Sequence, residues 1–363
     1  MLYALIMAAT LTQDSARFAP IAQIMERAIA QRAFPGGVVA IGTSDSVQYL
    51  EAFGRHEYDR GPRVTIRTMY DIASLTKVVG LTTAVMRLVD ERRLDLDGPL
   101  PGFEVSPVTA RDLLLHRSGL PAWQPFYQRG RGRAEVFALA RQVPQEVPAG
   151  RRMTYSDVGA IRLTELVETL SGERLDRFLT RILFKPLGMR DTRFAPDEEL
   201  LERIAPTERD TTWRHRLVHG EVHDENAAAM GGVSGHAGMF STAPDLARFA
   251  RWMLSCFSRS PLTAHRSPAS CETVRAFAQR ADSAFSSRAI GWDTPTGTNS
   301  AGTMMSARAF GHTGFTGTSI WVDPERNLFV ILLTNRVYPT RENQRIFEVR
   351  RAVADAAARA AGG

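Results

Sequence analysis

The sequence predicts an α+β fold: one antiparallel sheet with terminal helices on a face, interrupted by an inserted, mostly helical lobe. Three observations carry that prediction. Runs rich in β-branched and aromatic residues lie near both ends of the chain, at Gly37–Phe53, Thr318–Val322 and Leu328–Thr334. Helical segments dominate between them, from Thr109 to about Leu254, and helical patterns bracket the whole at Ser15–Ala33 and Arg341–Ala361. The first and last segments together can build a single sheet, leaving the middle as an inserted lobe.

Each element has its own warrant. Ser15–Ala33 carries helical periodicity, and Gly37–Phe53 reads as two strands around the turn residues Gly42-Thr-Ser-Asp-Ser46. Ser74 precedes a helical stretch, Val78–Arg92, that Asp95-Leu-Asp-Gly-Pro-Leu-Pro101 stops. The serine is therefore expected at a helix N-terminus, where free backbone N–H groups favour developing negative charge. Asp323-Pro-Glu-Arg-Asn327 supplies the turn between the last two strands, and Arg341–Ala361 closes the chain as an alanine-rich helix. The sheet subdomain is expected over about 15–73 and 287–361, and the helical subdomain over about 74–286. Residues 1–14 are expected to be a leader or an unstructured N-terminus. They are apolar like a signal-peptide core, but lack a basic n-region and a clear A-x-A site, so export to the periplasm or beyond is left open.

Composition narrows the function classes. Apolar residues make up 44% and charged residues 23%, an ordinary globular balance. A net charge of +6 permits loose attraction to anionic polymers, yet the densest basic stretch, Arg129-Gly-Arg-Gly-Arg133, has no interleaved aromatics and reads as a solvated loop. Nucleic acid is therefore not expected as a partner. No run reaches the ~20 apolar residues of a membrane-spanning helix. Cys256 and Cys271 are too few for a disulfide framework or a four-cysteine zinc site; one bridge is allowed and nothing in the sequence demands it.

The sharpest chemical signal is Lys77, one of two lysines in a chain with 45 basic residues. Arginine supplies the positive charge almost everywhere else. A lysine can give up its proton in a suitable pocket, whereas a guanidinium effectively cannot. Lys77 follows Ser74 by three positions, and residues three apart share a helix face, so Lys77 can reach the Ser74 hydroxyl and act as its base. Tyr155-Ser-Asp157 follows a Pro148-Ala-Gly turn and precedes a helix expected at Val158, which places a phenol at a loop end. Gly311-His-Thr-Gly314 lies just before a strand and offers its backbone as an exposed edge beside the pocket.

In this order the motifs resemble those of the serine β-lactamase and penicillin-binding protein superfamily, specifically the branch holding class C β-lactamases, D-alanyl-D-alanine carboxypeptidases, related amidases and family VIII esterases. The resemblance runs from Pro35-Gly-Gly37 through Ser74-x-x-Lys77, Leu113-Leu-Leu-His-Arg-Ser-Gly-Leu120, Tyr155-Ser-Asp157 and Pro186-Leu-Gly-Met189 to His312-Thr-Gly314, covering about residues 15–360. It implies a β-lactamase/transpeptidase-like fold and a serine hydrolase working through an acyl-enzyme. Ser74 would attack, Lys77 would accept or relay its proton, and Tyr155 would pass a proton to the leaving group. Backbone N–H groups of Ser74 and Phe315 would form the oxyanion hole, and Asp157, His312, Thr313 and Gly314 would contact substrate. The implied substrate is an amide or ester, with a cell-wall-derived peptide favoured. A carboxylesterase and a non-turnover penicillin-binding or sensor module are the alternatives. No cofactor is implied.

Two departures qualify the resemblance. Efficient β-lactamases of the superfamily usually carry Asn where this chain has Asp157, and Lys where it has His312. An ionised Asp accepts hydrogen bonds but donates none, and a neutral His supplies no permanent charge, so strong activity on penicillins is not expected. His219-Gly-Glu-Val-His-Asp-Glu-Asn226 is not a His-Glu-x-x-His motif and its glycine opposes a ligand-aligning helix, so no metal is expected there. Gly231-Gly-Val-Ser-Gly-His-Ala-Gly238 reads as a pocket wall or a tight crossing loop, and Ser234 is not the centre of a G-x-S-x-G elbow. His116 is expected to be structural near the pocket floor. Trp123, Tyr127 and Trp292 are aromatic residues available to shape a cleft.

Overall fold

The computed structural model describes residues 2–258, 267–281, 286–297 and 299–362, with side chains from residue 16 onward. Its main sheet contains β1 (Gly36–Gly42), β2 (Val47–Glu57), β3 (Arg60–Arg63), β4 (Phe310–Thr313), β5 (Ser319–Asp323) and β6 (Leu328–Thr334). Their spatial order is β3-β2-β1-β6-β5-β4, with antiparallel neighbours throughout. The two ends of the chain meet at the centre of this sheet, where Val39 of β1 lies opposite Leu332 of β6. The helices include α1 (Leu2–Ala30), α2 (Thr83–Asp90), α3 (Asp157–Ser171), α4 (Ala243–Ser255), α5 (Cys271–Ala278) and α6 (Ile346–Ala361), of which α1, α4 and α6 pack on the sheet.

β1 and β6 are buried along their whole length, because both faces of the sheet are covered. Val39, Ile41, Val330 and Leu332 point to the terminal helices and pack with Phe18, Ile21 and Met25 of α1 and Val353 and Ala357 of α6. Val38, Ala40, Ile331 and Leu333 point the other way, into the cluster that holds Leu246, Phe249 and Met253 of α4. This two-sided burial explains why the strands read as continuous apolar runs rather than as alternating ones. Each such valine, leucine or isoleucine side chain contributes on the order of 1.5–3 kcal/mol by leaving water. The cluster beneath α4 continues through Leu75 and Val79 to Ile161 of α3, so sheet and helical lobe share one apolar mass.

The expected strands and terminal helices form, with shifted boundaries. The chain turns helical at Leu75, runs as a π-helical stretch over Lys77–Thr82, and continues as α2 to Asp90. The closing helix starts at Ile346 rather than Arg341 because the segment before it is bound elsewhere. Arg336 donates to the carbonyls of Arg341 and Asn343, each at 2.7 Å, and Arg341 pairs with Glu208 and Glu225. Met1 lies outside the described residues, and the backbone of 2–14 forms the first part of α1. Cys256 and Cys271 form a disulfide that ties the end of α4 to the start of α5. No described helix is long and apolar enough to cross a membrane.

Trp292 is not in a cleft. It is fully buried between Phe249 and Phe310, as core packing.

Two hydroxyls lock the sheet to the helical lobe. Thr316 donates to the Asp71 carbonyl at 2.7 Å, and Thr318 donates to the Ile72 carbonyl at 3.1 Å. Gly314 sits so close to this junction that an added Cβ would lie 2.1 Å from Thr318 Oγ1 and 2.5 Å from the Ile72 carbonyl oxygen.

Candidate active site

The segment ahead of Ser74 is held in an unusual shape. Ala73 has φ of +46°, a left-handed conformation that residues with a Cβ seldom adopt. Its N–H is fixed by Asp71 Oδ1 at 2.8 Å, while Asp71 Oδ2 accepts from the His223 N–H at 2.7 Å. Local strain that surrounding hydrogen bonds overdetermine clusters at functional sites. After Ser74 the first helical turn closes through the Lys77 N–H to the Ser74 carbonyl at 3.0 Å. The Ser74 N–H has no protein acceptor among the described residues.

Lys77 is buried, donates two hydrogen bonds and forms one ion pair. Nζ lies 3.1 Å from Ser74 Oγ, 2.8 Å from the His236 carbonyl and 2.6 Å from Asp157 Oδ1. Burial by itself disfavours the charge, but Asp157, followed by Tyr155, more than offsets it and holds Lys77 above the usual lysine range. At neutral pH the side chain is an ammonium.

Tyr155 and Asp157 come from the N-terminus of α3. Ser156 caps that helix: its Oγ accepts from the Gly159 N–H at 3.0 Å and donates to the Pro121 carbonyl at 2.7 Å. The Ser156 N–H donates to His116 Nδ1 at 3.0 Å, and the Asp157 N–H to the Ala122 carbonyl at 2.8 Å. His116 therefore carries its proton on Nε2, and burial drives its pKa well down. Its ring centre lies 4.5 Å from that of Tyr155, so it buttresses the phenol. Lys77 Nζ lies 4.9 Å from the Tyr155 ring centre, and the buried Tyr155 hydroxyl has no partner in hydrogen-bond geometry. Burial raises the phenol's pKa against the pull of the Lys77 charge, so it is protonated.

The opposite wall is the end of β4. His312 Nδ1 donates to the Thr313 carbonyl at 2.8 Å, which leaves Nε2 as a buried acceptor without a partner. Burial pushes the His312 pKa down to about 4, so this position carries no positive charge near neutral pH. Beyond it, Arg350 Nη2 donates to the Gly314 carbonyl at 2.6 Å, and Arg336 Nε to the Phe315 carbonyl at 2.8 Å. The Phe315 N–H, like that of Ser74, has no protein acceptor among the described residues. The Phe315 ring is half exposed and stacks on His223.

Two clefts meet at Ser74 and Tyr155. One, of about 280 Å³, is walled by Trp123, Asp157, Asp224, Glu225, Phe315 and Arg341. The other, of about 330 Å³, is walled by Asp293, His312, Arg336, Gln344, Phe347 and Arg350. Thr313 and Gly314 also line the second cleft. The structure thus gathers Ser74, Lys77, Tyr155, Asp157, His312, Thr313, Gly314 and Phe315 around one point. Asp157 differs in its partner: it is bound to Lys77 besides bordering the first cleft. Trp123 borders that cleft, whereas Tyr127 packs between Trp123 and Trp213.

Sequence reasoning missed a buried chain behind Lys77. Asp224 Oδ1 accepts from His236 Nε2 at 2.7 Å, and Ser234 Oγ lies 2.7 Å from His236 Nδ1. The partners match a Ser–His–Asp set, but Ser234 is fully buried and cannot meet a substrate. The chain instead fixes His236, whose carbonyl binds Lys77. His219 and His223 turn to different partners, His219 to the carbonyls of Leu201 and Ile204 and His223 to Glu208 at 2.9 Å. Among the described residues no cluster of metal-ligating side chains forms.

A model of the family described as Beta-lactamase matches residues 21–355. The chain belongs to the Beta-lactamase family. It is a serine hydrolase of that family. Within it, the chain is 31% identical to the N-acetylmuramyl-L-alanine amidase of Bacillus subtilis, over 90% of this chain and 83% of the relative. It is 30% identical to an Escherichia coli protein named "Putative D-alanyl-D-alanine carboxypeptidase", over 89% of this chain and 85% of that one. Among solved structures, a penicillin-binding protein homolog from Caulobacter crescentus superposes with a TM-score of 0.75 at 22% identity, covering 95% of this chain and 97% of the other. That likeness establishes the Beta-lactamase family fold.

Proposed function

We propose that this hydrolase cuts an amide bond in a cell-wall-derived peptide through an acyl-enzyme on Ser74. The observation that carries the reading is the contact of Lys77 Nζ with Ser74 Oγ at 3.1 Å beneath the Tyr155 phenol. The names of the relatives, an amidase and a carboxypeptidase, support the substrate class.

The charge state of the site shapes the mechanism. Lys77 rests as an ammonium held by Asp157, 2.6 Å away, so it becomes a base only after losing a proton to solvent. The neutral amine then takes the Ser74 proton as Oγ bonds to the substrate carbonyl carbon. Negative charge on the carbonyl oxygen falls to the free N–H groups of Ser74 and Phe315. As the C–N bond breaks, the leaving nitrogen takes a proton from Tyr155, which Lys77 replaces. An amine leaves only when protonated, and a site rich in bound protons suits an amide. Water then attacks the acyl ester by the same route in reverse.

Intact-mass measurement after exposure to a fluorophosphonate tests the nucleophile: one adduct is expected on wild-type protein and none on folded Ser74→Ala. Muropeptides, D-alanyl dipeptides and short-chain p-nitrophenyl esters, compared by kcat/KM, then test the bond. Wide preference for the esters would move the assignment to a carboxylesterase, and acylation without turnover to a sensor.

A further inference from the structure

Arg350 and Arg336 are buried beside Ser74, and neither has a carboxylate within ion-pair distance among the described residues. Two like charges in such a place carry a desolvation cost that a structural role alone would not require. Their donors go to backbone carbonyls instead. Arg350 binds the Gly314 and Thr318 carbonyls at 2.6 and 2.8 Å, and Arg336 binds the Phe315 carbonyl at 2.8 Å.

The Gly314 carbonyl and the Phe315 N–H belong to one peptide unit. That unit is planar and trans, so its C=O and N–H point in opposite directions. A cation holding the oxygen on one side fixes where the hydrogen points on the other. It also draws electron density from the amide and makes the N–H a stronger donor, since linked hydrogen bonds polarise one another. We propose that Arg350 is a positioning residue for the oxyanion hole, gripping the carbonyl of the Gly314–Phe315 peptide and thereby aiming and strengthening the Phe315 N–H beside Ser74. Arg336 secures the carbonyl of the next peptide. This restores positive charge to a wall where His312 supplies none. Burial, aided by the charge of Arg336, brings the Arg350 pKa down only to about 9, so the guanidinium stays charged at neutral pH.

The inference rests on Ser74 forming an acyl-enzyme, and its test separates the two. A neutral p-nitrophenyl ester carrying 13C at its carbonyl is mixed with wild-type, Arg350→Gln and Arg350→Lys protein, and the acyl carbonyl is followed by difference infrared spectroscopy. In Arg350→Gln the band is expected to move to higher wavenumber. The acylation rate is expected to fall ~10-fold, less than the loss for deleting an oxyanion donor outright, with KM little changed. Arg350→Lys is expected to lie between the two and decides the matter if the Gln variant does not fold. The proposal is overturned if a folded variant keeps the wild-type band and rate. It is equally overturned if the loss appears only in KM for carboxylate-bearing substrates, which would make Arg350 a binding group. No acyl band in wild-type protein would instead remove the acyl-serine reading itself.

Discussion

Lys77 sits closer to Asp157 than to Ser74: 2.6 Å to the carboxylate oxygen against 3.1 Å to the hydroxyl. The residue proposed to accept the Ser74 proton is thus anchored by a group that keeps it protonated. The sequence marks Asp157 as a substrate contact; in the structure it is also the counter-ion of Lys77.

That pairing fixes the sign of a pH effect. Lys77 is held above its ordinary pKa, so its neutral form grows only as pH rises. For the wild-type enzyme kcat/KM is expected to climb with pH through the alkaline range for as long as the protein stays folded. In Asp157→Asn the largest raising influence is gone while burial still disfavours charge, and the rising limb is expected to move to lower pH. Coincident profiles for the two proteins would show that Lys77 deprotonation does not limit acylation.

Lys77→Arg is expected to be nearly as inactive as Lys77→Ala, because it keeps the charge and cannot lose the proton. Both are expected to lose at least ~100-fold in acylation rate, the lower end for removing a general base. Single-turnover kinetics with a fluorescent acylating probe reads this. Near-wild-type acylation by the Arg variant would reduce Lys77 to a binding cation.

Tyr155→Phe removes an unpartnered buried hydroxyl and leaves the ring packed on His116, so its melting temperature is expected to stay close to wild type while kcat falls at least ~100-fold. An unchanged kcat would move proton delivery to Lys77 or water.

Three buried histidines make the fold acid-sensitive. Burial holds His56 and His312 at about 4, and His116 well below its ordinary value. Between pH 6.5 and about 4 the unfolded chain takes up protons that the native state refuses, so stability is lost as pH falls, by at most about 1.4 kcal/mol per pH unit for each of His56 and His312, with His116 acting in the same direction. Glu208, held at about 2 where His223 and Arg341 outweigh burial, adds its loss only at lower pH. Denaturant midpoints at pH 6.5, 5.5 and 4.5 measure the slope, and His312→Gln is expected to flatten it. A flat wild-type profile over this window would contradict the buried neutral state.

Much of this was legible in the sequence because local rules governed it. Strands β1, β5 and β6 announced themselves by β-branched runs and turn residues, and Ser74, Lys77 and Tyr155 by motifs whose spacing carries chemistry. What stayed hidden depends on partners far away in the chain. Nothing near Arg350 indicates that its donors fall on Gly314, 36 residues earlier, nor near Lys77 that the His236 carbonyl, 159 residues on, binds it. Trp292 was ambiguous for a different reason: a lone aromatic in a Gly- and Thr-rich stretch has no periodicity to say which way it faces. The start of α6 is not legible because helical composition continues through Arg341–Arg345, while side-chain pairing of Arg341 decides its shape.

The tight junction at Gly314 has a consequence for how the protein can be monitored. The segment leading to Ser74 and the edge of the main sheet touch so closely there that neither can shift without displacing the other. Opening of the sheet must therefore dismantle the site in the same event. Catalytic activity during heating or denaturant titration is expected to vanish together with the sheet signal in circular dichroism, making turnover a direct reporter of global unfolding.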